Sequence, residues 1–346
     1  MPLLRLPEMV FLDDIAALQF WRTQPNPRHI MRTCPQTCAL HTCPSSREQL
    51  EDELARVPSL LQKHMMVSDP HRRFEHAGYA YTVTSRQLPQ NSFYIVADGI
   101  AVACPELMFM QLARKLPVVL GVKLGYELCG TYSPARDELG NAVERRVPLA
   151  SARQLRDFCL ENRQLPGSVA TLKALPHVLE ASASAMETDT AMLMTLPRRY
   201  GGFALPCPLM NHEIAFDDTA ARIAGTSCAR ADMCWPNARL DVEYDSETWH
   251  NDAQALRHDK ARTNALVHMG YTVIAITRIQ YASAMLFEDI VTDIAGRIGH
   301  RMRTPSGSDL LKRCELRRTL DTARHDPLFS CEPLPHLACE SRCDSL

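Results

Sequence analysis

The stretch "RLDVEYDSETWH", residues 239–250, sets Asp241, Glu243 and Asp245 at every second position. If it is extended, these carboxylates share one face while Leu240, Val242 and Tyr244 share the other. Two full charges roughly 7 Å apart repel by roughly 2 to 3 kcal/mol at an effective dielectric of about 20. Such a face must be wet or must carry a counter-charge. Upstream, the turn "PNA" at 236–238 closes a hairpin that brings Asp232 nearly opposite Glu243. Facing carboxylates at one end of a sheet suit a hard cation, Mg2+ or Mn2+, which removes the repulsion. A cation held there can polarise a phosphoryl oxygen and activate a bound water.

The elements that must position these residues read as helix, hairpin, helix, strand, helix. "SAMETDTAMLMTL" is a helix, "TSCARADMCW" and "RLDVEYDS" are strands, and a second helix runs from about Asp252 to Met269 and stops at Gly270. "YTVIAIT" is a buried strand, and "SAMLFEDIVTDIAGRIGHRMR" is amphipathic, with Leu286, Ile290, Ile294 and Ile298 four apart. The prediction is a mixed sheet flanked by helices over 182–303. "LPRRYGGFALPCPLMN" reads as connector, 151–181 as a helical linker region, and 304–346 as a basic, poorly packed tail carrying Cys and Pro.

The first 150 residues read as a separate α+β domain. "FLDDIAALQFWR" is a helix with Asp13 or Asp14 as N-cap, then "HMMVSD", "YAYTVTS" and "SFYIVADGIAVAC" are strands, and "CPELMFMQLARKL" is a helix opened by Pro105. Between them lies a Pro- and Cys-rich loop in which Cys34, Cys38, His41 and Cys43 could supply four zinc ligands. Their C-x3-C-x2-H-x-C spacing lacks two separated knuckles, and the loop reads as reduced and metal-free.

A length of 346 residues favours two domains, and 46% hydrophobic with 23% charged residues is an ordinary globular balance. The net charge of -2 excludes a global positive field for nucleic acid. Of the 38 basic residues only 6 are Lys, a usage that reads as compositional bias of the genome. Apolar runs are strand-sized, no signal peptide is visible and the 13 cysteines are expected as thiols, so the expected location is the cytoplasm, without membrane contact.

The order Asp232, hairpin, Glu243 on a helix–sheet–helix core resembles the restriction-endonuclease-like, PD-(D/E)XK nuclease superfamily. "RADMCWPNARLDVEYDSETWH", then D-x-x-R at Asp259 and Arg262, then "LVHMGYTVIAIT", is similar to its very-short-patch-repair-like branch of uncharacterised bacterial proteins. "SAMET" and "LPRRYGGFALP" match the helix and connector that precede the hairpin in that branch. The resemblance implies a magnesium- or manganese-dependent endonuclease acting on DNA, with a homodimer among its expected assemblies. It makes Asp232 and Glu243 metal ligands and catalytic, with Glu187 a further ligand on the preceding helix. His250 would position or protonate the scissile phosphate, and Asp259 and Arg262 would orient His250 or contact phosphate. The lysine of the superfamily's E-x-K is here Asp245, which either removes the water-activating cation or adds a carboxylate for a second metal. The corresponding alternative is a nuclease fold that binds DNA or regulates without cleaving it.

Simpler roles stand beside these. Glu187 follows Ser184 at capping-box spacing, Asp259 and Arg262 make an exposed helix pair, His250 caps a helix, and Asp241 is solvated at a strand edge. In the N-terminal half, "LPQNSFYIVADGIAVACPELMFMQLA" is similar to a stretch of abortive-infection antitoxin-type regulators, which implies a recognition or regulatory domain.

Overall fold

The computed structural model describes residues 8–329 except 25, 41–42, 45, 57–61, 77, 135–146, 246–252 and 327. Its N-terminal part opens with β1 (Val10–Leu12), α1 (Asp14–Thr23), α2 (Pro27–Thr33), β2 (Gln36–Thr37), α3 (Arg47–Ala55) and β3 (Lys63–Val67). It continues with β4 (Tyr79–Val83), β5 (Phe93–Ala97), β6 (Ile100–Ala103) and α4 (Pro105–Lys115). The strands form one mixed sheet in the order β2-β5-β6-β1-β3-β4. Local chemistry explains its joints: Gly99 sits at φ +76° in the β5–β6 turn, and Pro105 starts α4 behind Cys104, whose Sγ accepts from Leu107 N–H. The expected Pro/Cys loop contains α2, with Asn26 accepting from His29 N–H, and the short β2. A side-chain cap and Pro at the first turn are enough to nucleate a helix that hydrophobic spacing did not announce.

Helices α5 (Val118–Cys129), α6 (Ala152–Glu161), α7 (Ser168–Ala174) and α8 (Ala185–Thr195) follow. The second sheet is built from β7 (Leu209–Ala215), β8 (Cys228–Trp235), β9 (Leu240–Asp245) and β10 (Thr272–Thr277), ordered β10-β9-β8-β7. Between strands lie α9 (Asp218–Ala224) and α10 (Ala253–His268), and after β10 come α11 (Arg278–Ala282), α12 (Ala284–Arg297) and α13 (Gly307–His325). The predicted hairpin forms as read, with a short 3-10 turn at Pro236–Ala238, and β9 pairs β10 in parallel. Part of the connector is the strand β7, antiparallel to β8.

The expected poorly packed tail is corrected over 307–325. Helix α13 buries Arg313, Leu316, Leu320 and Ala323, and its backbone comes so close to the "RRYGG" turn that a Cβ at Gly201 would collide with the Lys312 carbonyl. Its arginines misled the reading: Arg313 lies over Phe203, with 4.1 Å between guanidinium carbon and ring centroid, and Arg317 over Phe287 at 4.7 Å. Arginine stems and stacked guanidinium groups cover apolar surface, so a basic helix can pack.

The main hydrophobic core runs through both sheets, from Met9 and Phe11 past Tyr126 and Met192 to Val242, Phe287 and Leu320, with smaller clusters around Leu266 and Ala265 under α10. Across it, Asp189 of α8 is fully buried between Lys123 of α5 and Arg324 of α13, the latter at 3.0 Å. Among the described residues no helix is long and apolar enough to cross a membrane.

Candidate functional site

The carboxylates gather on β8, β9 and the start of α8. Strands β8 and β9 pair with Met233 opposite Val242, Cys234 opposite Asp241 and Trp235 opposite Leu240; one step further this register sets Asp232 opposite Glu243. Tyr244 N–H donates to Asp232 Oδ2 at 3.0 Å, which ties the side chain to the neighbouring strand. Glu187 enters from α8: its N–H is capped by Ser184 Oγ, and its Oε2 accepts from Ala183 N–H at 2.9 Å and from Asn211 Nδ2 at 2.8 Å. Ser184 caps the helix, but the Glu187 side chain reaches Ala183 N–H and not Ser184 N–H, so the expected reciprocal capping box does not close. This helix-start contact coexists with proximity to the hairpin acids.

Asp241 is not at a strand edge. Strand β10 pairs along the whole of β9, from Leu240–Thr272 to Asp245–Thr277, so β9 is interior. Asp241 is 0% exposed, and neither carboxyl oxygen accepts a hydrogen bond. A buried, unpartnered carboxylate is costly as an anion. Burial first, then the charge of Glu243 and a carboxyl–carboxyl hydrogen bond with it that only the protonated acid can make, then the charge of Asp232, push Asp241 up to about 9. Burial and the neighbouring Glu187 push Asp232 up to about 7. Burial also raises Glu187, against the hydrogen bonds from Ala183 and Asn211.

Among the described residues, the cation that acts on this cluster from close range is Arg262 of α10. It meets Glu243 Oε1 at 2.6 Å, donates to Oε2 at 2.7 Å and reaches the Arg230 carbonyl at 3.1 Å. Burial would lower its pKa, but the hydrogen bond and charge of Glu243 outweigh that and hold it above its usual value. Arg262 is thus committed to Glu243 by a two-pronged ion pair, the geometry for which a guanidinium is shaped. Asp259, three residues earlier, is exposed and adds its charge to Arg262 from the surface. Asp245 is exposed at the end of β9, and His250 lies outside the described residues.

Buried, mutually repelling carboxyls with unpartnered oxygens form a donor set that fits a hard divalent cation. Both Glu243 oxygens face Arg262, however, and among the described residues no three His, Cys, Asp or Glu side chains are disposed to hold an ion. The same holds for the cysteine loop, where Cys34 and Cys38 are half-buried, Cys43 Sγ donates to the Leu40 carbonyl, and His41 lies outside the described residues. The residue that sequence reasoning undervalued is Asp241. The run "YTVIAIT" signalled a further strand, but that it pairs β9, leaving no edge for Asp241 to occupy, is set by the fold.

No family model matches the chain, and no solved structure matches it. Two proteins of Mycobacterium tuberculosis are similar to part of it: "Uncharacterized protein MT2308" of strain CDC 1551 / Oshkosh and "Uncharacterized protein Rv2248" of strain ATCC 25618 / H37Rv. Each is 29% identical over 142 residues, a match that spans 41% of this chain and 42% of the relative.

Proposed function

We propose that the C-terminal half is a restriction-endonuclease-like domain that hydrolyses DNA phosphodiesters with a divalent cation, that the N-terminal half steers it to its target, and that it acts in the cytoplasm against foreign DNA. The observation that carries this reading is the pair of partly buried carboxyls of Asp232 and Glu243 on adjacent strands, with the fully buried Asp241 at their base. Mg2+ or Mn2+ would be held by Asp232 and Glu243, with Glu187 a further carboxylate beside Asp232, once Arg262 has released Glu243. When bound, such an ion polarises a phosphoryl oxygen and lowers the pKa of a bound water.

The chain's own contribution is electrostatic and protonic. Asp232, which burial and Glu187 push up to about 7 in the metal-free chain, would give up its proton on taking the ion, so its role is that of a ligand. Arg262 pairs with Glu243 and ties its side chain to the Arg230 carbonyl of the neighbouring strand β8. Glu187, anchored by Ala183 and Asn211, holds a second negative potential close to Asp232.

One observation favours the alternative, a nuclease fold that binds DNA or regulates without cutting: Arg262 sits where a cation would neutralise Glu243, and Asp245 stands exposed where a water-activating lysine is expected. Supercoiled plasmid incubated with Mg2+ or Mn2+ separates the two. Nicking or linearisation that stops with chelator and in Glu243→Gln supports the nuclease. Intact plasmid together with retarded DNA supports the regulator.

A further inference from the structure

A cavity of about 230 Å³ opens in the N-terminal half, between the end of β4, helix α4 and the segment 165–166. It shares no residue with the carboxyl cluster. Its walls include Met66, Leu107 and Leu165, which are buried and apolar. Asp14 also lines it and is 3% exposed. Asp14 Oδ1 accepts from Ile15 N–H at 3.0 Å and Oδ2 is covered by the Lys115 ammonium at 2.7 Å, while the Lys115 side chain stays 55% exposed. Arg86, which donates to the Gln164 carbonyl, and Arg114, both exposed, complete a rim that is basic apart from Asp14.

Asp14 is held there against its backbone preference. Its φ of 52° is left-handed, a conformation that costs a non-glycine residue on the order of 1 to 3 kcal/mol. The surroundings over-determine it: Gln111 accepts from Asp14 N–H at 3.1 Å and donates to Asp13 Oδ2 at 2.7 Å, and Asp13 Oδ1 lies 2.6 Å from His64 Nδ1. Two buried residues and one helix side chain therefore fix an acid inside an apolar slot under a ring of cations.

We propose that this cavity binds a guanine nucleotide. The volume lies below the roughly 300 to 1,000 Å³ of drug-sized sites and suits one base with its sugar. Once Lys115 turns away, the Asp14 carboxylate in this apolar slot selects a ligand edge made of N–H donors. Guanine offers adjacent N1–H and N2–H donors, whereas adenine sets the N1 lone pair against the acid. The guanidinium groups of Arg86 and Arg114 suit a phosphate at the mouth, and the long stem of Lys115 lets its ammonium turn from Asp14 to that phosphate. The N-terminal half then carries a ligand input separate from the carboxyl cluster.

The test is calorimetric titration of the full chain, without metal or DNA, with guanosine monophosphate, adenosine monophosphate, guanosine and inorganic phosphate. Guanosine monophosphate is expected to bind at least about 10-fold more tightly than any of the other three. Asp14→Asn should weaken it by about 10-fold or more, and Arg114→Ala should weaken the nucleotide while leaving guanosine unchanged. If Asp14→Asn fails to fold, Arg114→Ala and the four ligands decide alone. Absence of binding at millimolar nucleotide, equal binding of the adenine nucleotide or of phosphate alone, or an Arg114→Ala variant indistinguishable from the parent would each overturn the assignment.

Discussion

Arg262 grips Glu243 from the neighbouring helix through both carboxylate oxygens, at 2.6 and 2.7 Å. The pair is part-buried, so its removal should cost about 1 to 3 kcal/mol, between the values for exposed and buried ion pairs. Arg262→Ala is therefore expected to melt lower than the parent without metal. Because it frees both Glu243 oxygens beside Asp241 and Asp232, added Mn2+ should raise its melting temperature more than it raises the parent's. An equal or smaller metal increment would show that the arginine does not compete with a cation.

The raised acids set a pH dependence whose sign follows from proton counting. Asp232 and Asp241 keep their protons in the folded chain up to about 7 and about 9, but lose them near 4 when unfolded. Between those limits the folded state binds more protons, so stability falls as pH rises from about 4 through 7 and, for Asp241, on towards 9. Thermal melts from pH 5 to 9 should show this decline, and Asp241→Asn should flatten its alkaline part. Mg2+ needs the ionised carboxylates, so its stabilising increment should grow over the same interval. A melting temperature that climbs from pH 5 to 9 in the absence of metal would contradict the burial of these groups.

Glu187 can be dissected because its two roles ask for different things. Its contacts to Ala183 N–H and Asn211 Nδ2 need only an acceptor oxygen, which glutamine retains. Glu187→Gln should thus melt like the parent yet bind Mn2+ more weakly and cleave more slowly. Ser184→Ala removes the hydroxyl cap on Glu187 N–H and should lose about 1 kcal/mol while keeping metal binding. If Glu187→Gln titrates with metal like the parent, the residue serves the helix start alone.

Asp189 bears on how the C-terminal helix is held. It is fully buried between Lys123 and Arg324, and Arg324 also donates to the Tyr281 hydroxyl at 2.8 Å. Asp189→Ala strands a buried lysine, and breaking a buried ion pair this way costs about 3 to 5 kcal/mol. Urea denaturation should register a loss of that order for Asp189→Ala and a smaller one for Arg324→Ala, whose side chain is partly exposed. Near-equal stability of Asp189→Ala and the parent would mean that α13 is held by its apolar face and stacked arginines alone.

Local pattern was enough to find the hairpin 228–245, the helix that Gly270 ends, the strand "YTVIAIT" and the Ser184 cap, because period-2 alternation, turn chemistry and capping depend on neighbours in sequence. Register followed from the turn, so the opposition of Asp232 and Glu243 was also legible. The parallel pairing of β10 on β9 was not, and that pairing moves Asp241 from a solvated edge to a dry interior and raises its proton affinity. Neither the fork of Arg262 on Glu243 nor the clamp of Gln111 on Asp13 and Asp14 has a local signature, since each joins residues far apart in the chain. The same holds for α13: its arginines look solvated in sequence and become buried only because Phe203, Phe287 and Tyr281 offer ring faces across the fold. Residue type and spacing decided which groups could do chemistry here; burial, which depends on long-range packing, decided their charge state and their partners.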